Sequence, residues 1–450
     1  MTKKINRDLI LSGNMLQAIL SLAIPVVINS FLQTMYNLTD TFWLGRLGTE
    51  ELAAINLISP LQNIVINFGS GITVAGSVLI AQYVGARQDQ DAKSMANHVF
   101  SCAMIFAVVC ALLCFLFTPG IVTWLGAKGN TFQFSKAYMQ IVILDIPFLY
   151  MINIFAAINQ AQGDTVRPML LNLFGISLNI ILDPLLMVVC KWGVQGAAMA
   201  TLVSVICPAL IALIALHNRK KMIYINLRSH RFEKEKVLNI LKIGLPTAIG
   251  GSTMQFGFLL MTRSVLKYGT EAMAAYGIGN KVNAMISLPS NGIGSAVATI
   301  VGQNVGAGQL ERADRGYKLS MRISVVFLFL GGLILSRTTI STAIVSIFSE
   351  DMAVIGMAAE FLSIMAFCCF TNGIYNSTMG LFQGSGHTEV TMAVDAARLW
   401  VFRFATLFVC EVWLKMGVRS IWYSVVVSNA LSAVAIYVIY RTNYWRRKRI

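Results

Sequence analysis

Three carboxylates interrupt an apolar chain, each within or at the end of a run that has no other charge: Asp40, Asp145 and Asp183. An acid near the centre of a membrane-spanning helix costs about 2.5–3.5 kcal/mol on insertion scales, so it needs a partner or a task. Asp183 has company. Asn172, Asn179 and Asp183 are spaced seven and four residues apart, one polar stripe on an apolar helix. Pro184 cannot donate to the carbonyl of Ile180, which leaves an oxygen free beside that stripe. Carboxylate, amide and carbonyl oxygens together suit Na⁺, or a proton held on a buried carboxyl. The plainer reading is a packing network that satisfies itself.

Asp40 closes the run Tyr36-Asn37-Leu38-Thr39-Asp40, and Tyr36, Asn37 and Asp40 share one helical face. Fifteen residues earlier Pro25 removes a backbone donor and permits a bend, so it is the expected hinge. A bendable helix with a titratable outer half suits a coupling switch; an interfacial capping acid is the alternative. Asp145, two residues before Pro147, shares a face with Tyr138. It either joins the same cavity or is an interhelical acid satisfied by a neighbour, the preferred reading.

These groups need a membrane around them. Of the 450 residues 56% are hydrophobic and 12% charged, with a mean hydropathy of +0.68. A soluble domain would carry about a quarter charged residues. Residues 9–39, 52–86, 94–127, 192–218, 361–387 and 420–440 contain no Asp, Glu, Lys or Arg. Each exceeds the roughly 20 residues a helix needs to cross about 30 Å of hydrocarbon, and none alternates like a barrel strand. The fold class is therefore all-α and polytopic. Spans are expected near 14–40, 52–80, 94–118, 137–160, 168–190 and 195–217. A second set is expected near 239–262, 273–302, 318–340, 357–382, 391–412 and 419–440. Arg322 and Arg337 make 318–340 the least clean.

The formal charge of +15 is an orientation signal. With the N-terminus inside, the inner segments collect 21 Lys and Arg, among them Lys3, Lys4, Arg7, Arg219, Arg312 and Arg446. The outer segments collect eight: Arg46, Lys128, Lys136, Lys191, Lys267, Arg337, Lys415 and Arg419. Both termini are thus expected in the cytoplasm, and no nucleic-acid partner. The eight cysteines lie within or at the ends of spans, where they resemble neither a disulfide framework nor a zinc site. No GxxxxGK[ST] occurs, so a chain-encoded ATPase motor is not indicated. The first apolar run is too long for a cleavable leader. His98, His217, His230 and His387 sit at or near helix ends and assemble no catalytic centre, so no enzyme is expected.

Slid by 221 residues, the sequence matches itself from Pro25–Ala92 onto Pro246–Ala313 without a gap. Gly48-Thr49-Glu50 falls on Gly269-Thr270-Glu271, and Val84-Gly85-Ala86 on Val305-Gly306-Ala307. The match continues at 223 (Gly163 on Gly386) and at 224 (Gly193-Val194 on Gly417-Val418). Six spans is an even number, so both copies enter the membrane in the same sense, a parallel repeat. The expected organisation is an N-terminal six-helix lobe, 1–217, a cytoplasmic linker, 218–237, and a C-terminal lobe, 238–450. Such a duplication favours a transporter with a central site over a channel or receptor. The chemistry is not duplicated. Met261 stands in the place of Asp40, Gln255 is the main polar group of its helix, and the intramembrane charges are Lys281, Arg322, Arg398 and Arg403. Asp395 and Arg398 are expected to form an i, i+3 structural ion pair. The 22 methionines suit a tolerant wall, although core packing explains most of them.

Several segments together resemble the multidrug and toxic-compound extrusion (MATE) family, DinF-like branch. They are Asn37-Leu-Thr-Asp-Thr-Phe-Trp-Leu-Gly45, Leu47-Gly-Thr-Glu-Glu-Leu-Ala-Ala54, Ala81-Gln-Tyr-Val-Gly-Ala86, Gln160-Ala-Gln-Gly-Asp164, Leu178-Asn-Ile-Ile-Leu-Asp-Pro184 and Gly193-Val-Gln-Gly-Ala-Ala-Met-Ala-Thr201. The resemblance implies two pseudo-symmetric six-helix bundles around a cleft that opens alternately inward and outward. It implies export of cationic or amphiphilic small molecules by antiport against H⁺ or Na⁺, with no cofactor. The coupling ion would sit at Asp40, Asn179 and Asp183, with Tyr138 and Thr201 as further polar members; Asp40, Asn179, Asp183 and Thr201 would be the Na⁺ ligands. Tyr36, Asn37, Asn153, Asn172, Gln255 and Lys281 are the expected substrate-cavity residues. The seventh-helix Glu of the NorM-like branch is missing here, which points to first-lobe coupling. The protein is expected as a monomer in the cytoplasmic membrane, its partners the lipid bilayer and the exported drugs. A flippase of lipid-linked precursors is the rival; it would need a wide cationic cleft, for which Lys281, Arg398 and Arg403 speak and twelve helices do not. The tail Tyr444-Trp-Arg-Arg-Lys-Arg449 reads as a topology anchor or a grip on anionic lipid.

Overall fold

The computed structural model describes residues 2–44, 49–219, 222–226 and 232–447. Among these residues the only regular elements are helices. Of the charges that set the expected topology, Arg46, Lys220, Lys221, Arg228, Arg231, Lys448 and Arg449 lie outside them. The first half contains α1 (Thr2–Ser12), α2 (Met15–Leu44), α3 (Thr49–Gly85), α4 (Asp89–Trp124), α5 (Gly129–Val142), α6 (Ile146–Ala161), α7 (Val166–Pro184) and α8 (Gly193–His217). The second contains α9 (Lys234–Leu266), α10 (Thr270–Gly306), α11 (Leu310–Leu335), α12 (Thr338–Val345), α13 (Met352–Ala366), α14 (Cys369–Gly384), α15 (Thr388–Ala396), α16 (Phe404–Phe408) and α17 (Arg419–Arg441).

Nine helices among the described residues are long and apolar enough to cross a membrane. A tenth span is the pair α13–α14, bent by 58° at Phe367-Cys368. The two remaining expected spans are helical too. One is α9; the other is a continuous run from Thr388 to Trp413 in which α15 and α16 alternate with π-helical turns at Ala397–Arg403 and Val409–Trp413. The span expected over 318–340 stops at Leu335, because the backbone turns at Ser336-Arg337 before the short α12 begins.

The sequence repeat reappears in the backbone. After α3 the Gln88 amide bonds to the Tyr83 carbonyl (2.9 Å), and after α10 the Gln309 amide bonds to Asn304 (2.8 Å). The left-handed residue that closes this turn is Gly308 (φ 74°) in one copy and Arg87 (φ 60°) in the other, the costlier choice for a side chain. The wide turn that follows Pro184, with Cys190 N–H on Leu185 O at 2.9 Å, recurs as Leu414 N–H on Val409 O at 3.1 Å. These two π turns keep the 224-residue register.

Contacts divide the chain into two compact units: residues 1–7 with 28–248, and 8–27 with 249–450. The boundary therefore passes through α2 and α9, two residues beyond Pro25 and two beyond Pro246. Packing explains the exchange. Ile19, Leu22 and Ala23 are buried among Ile293, Val297 and Ile300 of the second unit. Ile240 and Ile243 are buried in the core of the first.

The described residues between α8 and α9 are tied to the first unit. Asn226 N–H bonds to Asn97 Oδ1 (2.9 Å), and Glu233 N–H donates to His98 Nε2 (2.8 Å). Lys236 reaches Ser94 (2.8 Å), Glu233 (3.1 Å) and Asp91 (3.5 Å). That ammonium, hydrogen-bonded to the Glu233 carboxylate, holds the Glu233 pKa below the usual glutamate range. In the second unit Arg312 clamps the end of α1 by donating to the carbonyls of Ile10 (3.0 Å), Leu9 (3.3 Å) and Gly13 (2.6 Å). The C-terminal tail folds back: Trp445 is 1% exposed, and Arg446 pairs with Glu311 at 3.5 Å. Its aromatic part is thus core rather than a loose basic tail.

Candidate functional site

The first unit holds a cavity of about 260 Å³ between α2, α3, α6, α7 and α8. Five expected site residues line it: Tyr36, Asn153, Asn172, Asn179 and Thr201. Asp145 lines it as well. Asp183 follows Asn179 by one turn of α7, is 1% exposed, and has no hydrogen bond of normal geometry on either carboxylate oxygen, the Asn179 amide alone standing close enough to favour its charge. Both side-chain atoms of Asn179, 2% exposed, likewise lack such a bond. Asp40 lies close enough to Asp183 for their charges to interact, and the hydroxyls of Tyr36 and Tyr138 lie in the field of both. Tyr36 adjoins Thr201, whose hydroxyl donates to Ala197 O at 3.1 Å.

Why the acids come together follows from the local sequence. The C-terminal half of α2 turns one face inward with Asn29, Gln33, Tyr36 and Asp40 at spacings of four, three and four. Pro184 ends α7 and opens the wide turn 185–189, a distortion often found at functional sites. Asp145 stands in a single tight turn at 143–145 between α5 and α6, because Pro147 cannot complete the helix behind it. Its Oδ2 accepts from Gln62 Nε2 at 3.3 Å, while Oδ1 has no partner. Asp145 is therefore both an interhelical acid and a wall of the cavity. Removing Gln62 leaves both oxygens unpaired, so Gln62→Leu is expected to destabilise the first unit by about 1–3 kcal/mol. A lower thermal midpoint of the purified protein checks it; an unchanged midpoint rules it out.

Other expected residues stand elsewhere. Asn37 is on the exposed face of α2, while Gln255 and Lys281 are exposed on α9 and α10 of the second unit, so none of the three lines this cavity. Pro25 is buried within an unbroken α2. Asp395 and Arg398 do not form the expected ion pair. Tyr375 donates to Asp395, and Arg398 turns to Asn429, since the π turn that begins at Ala397 widens the spacing an i, i+3 pair needs. Four contributors had been missed: Gln33, Gln62 and Ser204, which line the cavity, and Asn29, whose Oδ1 accepts from Asn172 at 3.1 Å. The even polar spacing along α2 was the available signal for two of them.

Apolar spanning helices in two units, with buried acids beside a cavity inside one of them, define a polytopic membrane transporter. The MatE family model matches residues 25–185 and 246–409, most of the chain and the same two segments that repeat, so the chain belongs to the MatE family. Among curated relatives, a probable multidrug resistance protein, YoeA of Bacillus subtilis (strain 168), is 25% identical over 95% of this chain and 93% of its own length. The multidrug export protein MepA of Staphylococcus aureus (strain N315) is 25% identical over 93% of this chain and 92% of its own. Among solved structures, an outward-facing multidrug resistance MATE family transporter of the MOP superfamily superposes with a TM-score of 0.91 at 24% identity, covering 96% of this chain and 97% of that one. A MATE protein in a bent conformation gives 0.90 at 24%, covering 98% and 97%. At that identity the structures establish the fold.

Proposed function

We propose that this protein is a secondary active multidrug exporter that expels cationic or amphiphilic small molecules in exchange for H⁺ or Na⁺. The observation that carries the reading is the group Asp40, Asn179 and Asp183: two neighbouring acids and an amide, with Asp183 and Asn179 buried and without hydrogen bonds of normal geometry, beside a cavity. Two neighbouring carboxylates, one of them buried, repel when both are ionised. A proton held on one of them relieves the repulsion. So does a Na⁺ taken by the carboxylate and amide oxygens with Thr201 alongside, since a hard cation prefers oxygen ligands.

Binding of the ion draws residues 28–44 of α2 toward α7 and α8. Pro25 supplies the hinge for that motion, because the helix lacks one backbone bond there. Tyr36 and Asn172 then narrow the cavity, and a bound substrate is displaced outward; return to the inward state releases the ion. Relatives named as multidrug exporters support the substrate class, and the basic charge of residues 1–13, 218–236 and 441–450 supports cytoplasmic termini in the cell membrane.

The test is efflux of a cationic dye from proteoliposomes with a pH gradient and a Na⁺ gradient imposed separately. At least one gradient is expected to drive efflux well above leak. A response to neither removes the antiport reading.

A further inference from the structure

The second unit contains a charged centre that the coupling reading does not use. Arg403, 2% exposed, donates through Nε to Ser428 Oγ at 3.0 Å and through Nη2 to Asn429 Oδ1 at 3.2 Å. Arg398 donates to the same Asn429 oxygen twice, from Nε at 3.0 Å and Nη2 at 2.8 Å. Two guanidiniums thus converge on one neutral amide oxygen. No carboxylate pairs with either among the ion pairs of the described residues, and the nearby Asp395 receives the Tyr375 hydroxyl. Among the described residues the hydrogen bonds of Arg403 leave Nη1 without an acceptor. A second observation is independent of the arginines: the hydroxyl of Tyr276, a buried side chain within electrostatic reach of Arg403, has no partner either. Asp395 lies within electrostatic reach of Arg398 and offsets one of the two charges; the remaining positive charge, with spare donors inside a membrane bundle, calls for an acceptor from outside the protein.

The repeat says what this place is. Left-handed turns at Gly163 and Gly386 set the register at 223 residues, and the wide turns 185–189 and 409–413 set it at 224. The one extra residue is taken up by the additional π turn Ala397–Arg403, the usual way a helix absorbs an insertion. In this register Asn179 corresponds to Arg403, Ser204 to Ser428 and Val205 to Asn429, and before the insertion Asn172 corresponds to Asp395. All four first-unit residues line the first-unit cavity. The second unit therefore has a guanidinium, Arg403, where the first has the amide of Asn179, and the inserted turn carries a further one, Arg398, with no polar counterpart in the first unit.

We propose that the Arg398–Arg403 centre is an anion-recognising subsite that takes a carboxylate, sulfonate or phosphate group, with half-buried Arg398 as its more accessible member and Arg403 as its buried one. The acceptor is either the head group of an amphiphilic substrate or a free inorganic anion. This goes beyond the coupling assignment and stands without it, because binding requires no gradient.

Equilibrium dialysis of the purified full-length protein in a neutral detergent tests it, with dansylglycine and dansylamide as probes that differ in the carboxylate. The wild type is expected to prefer dansylglycine by about tenfold or more, the scale of a charge-assisted hydrogen-bond pair. Arg403→Gln and Arg398→Gln should each erase that preference while leaving dansylamide binding unchanged; Arg398→Lys, which keeps the charge, should retain most of it. Should Arg403→Gln aggregate, the two half-buried Arg398 variants carry the comparison. Competition by millimolar inorganic phosphate identifies a free anion as a sufficient occupant, and its failure to compete identifies an amphiphile head group. Equal binding of the two probes, or a preference that survives both Gln variants, overturns the proposal.

Discussion

Replacing Asp183 with Asn is expected to reduce gradient-driven efflux to the leak rate, while the protein inserts and purifies as the wild type does. Asp40→Asn should do the same. The argument is about a group that must change state. An Asn at 183 keeps the size and polarity of the side chain but carries no charge and takes no proton. Neither step of the cycle then has anything to sense. The fold has the opposite interest. Both oxygens of Asp183 are buried without a hydrogen bond of normal geometry, so a neutral isostere relieves the desolvation of a charge, and the variant should be as stable as the wild type or more so. Loss of efflux with an undiminished thermal midpoint is therefore the expected signature. Efflux at wild-type rates in both variants would sink the assignment. A lower midpoint in Asp183→Asn would show instead that the carboxylate is a structural group.

What the sequence allowed and what it withheld divide along one line. Hydropathy found the helices at all twelve expected places, ten of them long and apolar enough to cross among the described residues, since a bilayer demands such helices wherever the chain crosses it. The 221-residue register also held, down to backbone turns at Gln88 and Gln309 that differ in having Arg87 or Gly308 at their left-handed position. Asp183 and Asn179 were legible because a stripe at seven and four residues survives translation into a straight helix. Asp145 was legible as an interhelical acid, but its partner Gln62 was not, because their bond joins residues 83 apart and depends on how α3 meets the turn before α6. Asp395 and Arg398 misled for a related reason. Spacing rules assume 3.6 residues per turn, and the π turn at 397–403 breaks that assumption where the arginines lie. The exchange of residues 8–27 between units was hidden as well, since α2 is one unbroken apolar run and nothing in its pattern marks which half packs where.

A stability loss as large as that at Gln62 is expected from a residue with no chemistry. Helices α10 and α14 of the second unit touch backbone to backbone: a Cβ on Gly380 would lie 2.2 Å from the Gly294 carbonyl oxygen, and one on Gly384 would lie 2.4 Å from that of Ala298. In lipid no hydrophobic force drives helices together, so close packing and interhelical hydrogen bonds must do it. Here both depend on the same approach. Asn376 Nδ2 donates to Asn291 Oδ1 at 2.8 Å and to Ser290 Oγ at 3.1 Å, and Ser290 Oγ donates to Asn372 O at 3.2 Å. A single methyl in Gly380→Ala meets backbone, which cannot rotate away, so the helices must separate and these bonds lengthen with them. The expected loss is about 1–3 kcal/mol, the range for overpacking a close contact, read as a lower thermal midpoint of the purified protein. Gly277→Ala on the same α10 is the control: its Cβ would meet nothing within 4 Å. It should leave the midpoint unchanged or raise it, because alanine is the better helix former. If both variants melted together, the glycines at 380 and 384 would be tolerated by slack between the helices rather than required by their contact, and the backbone approach would cease to explain how this pair is held.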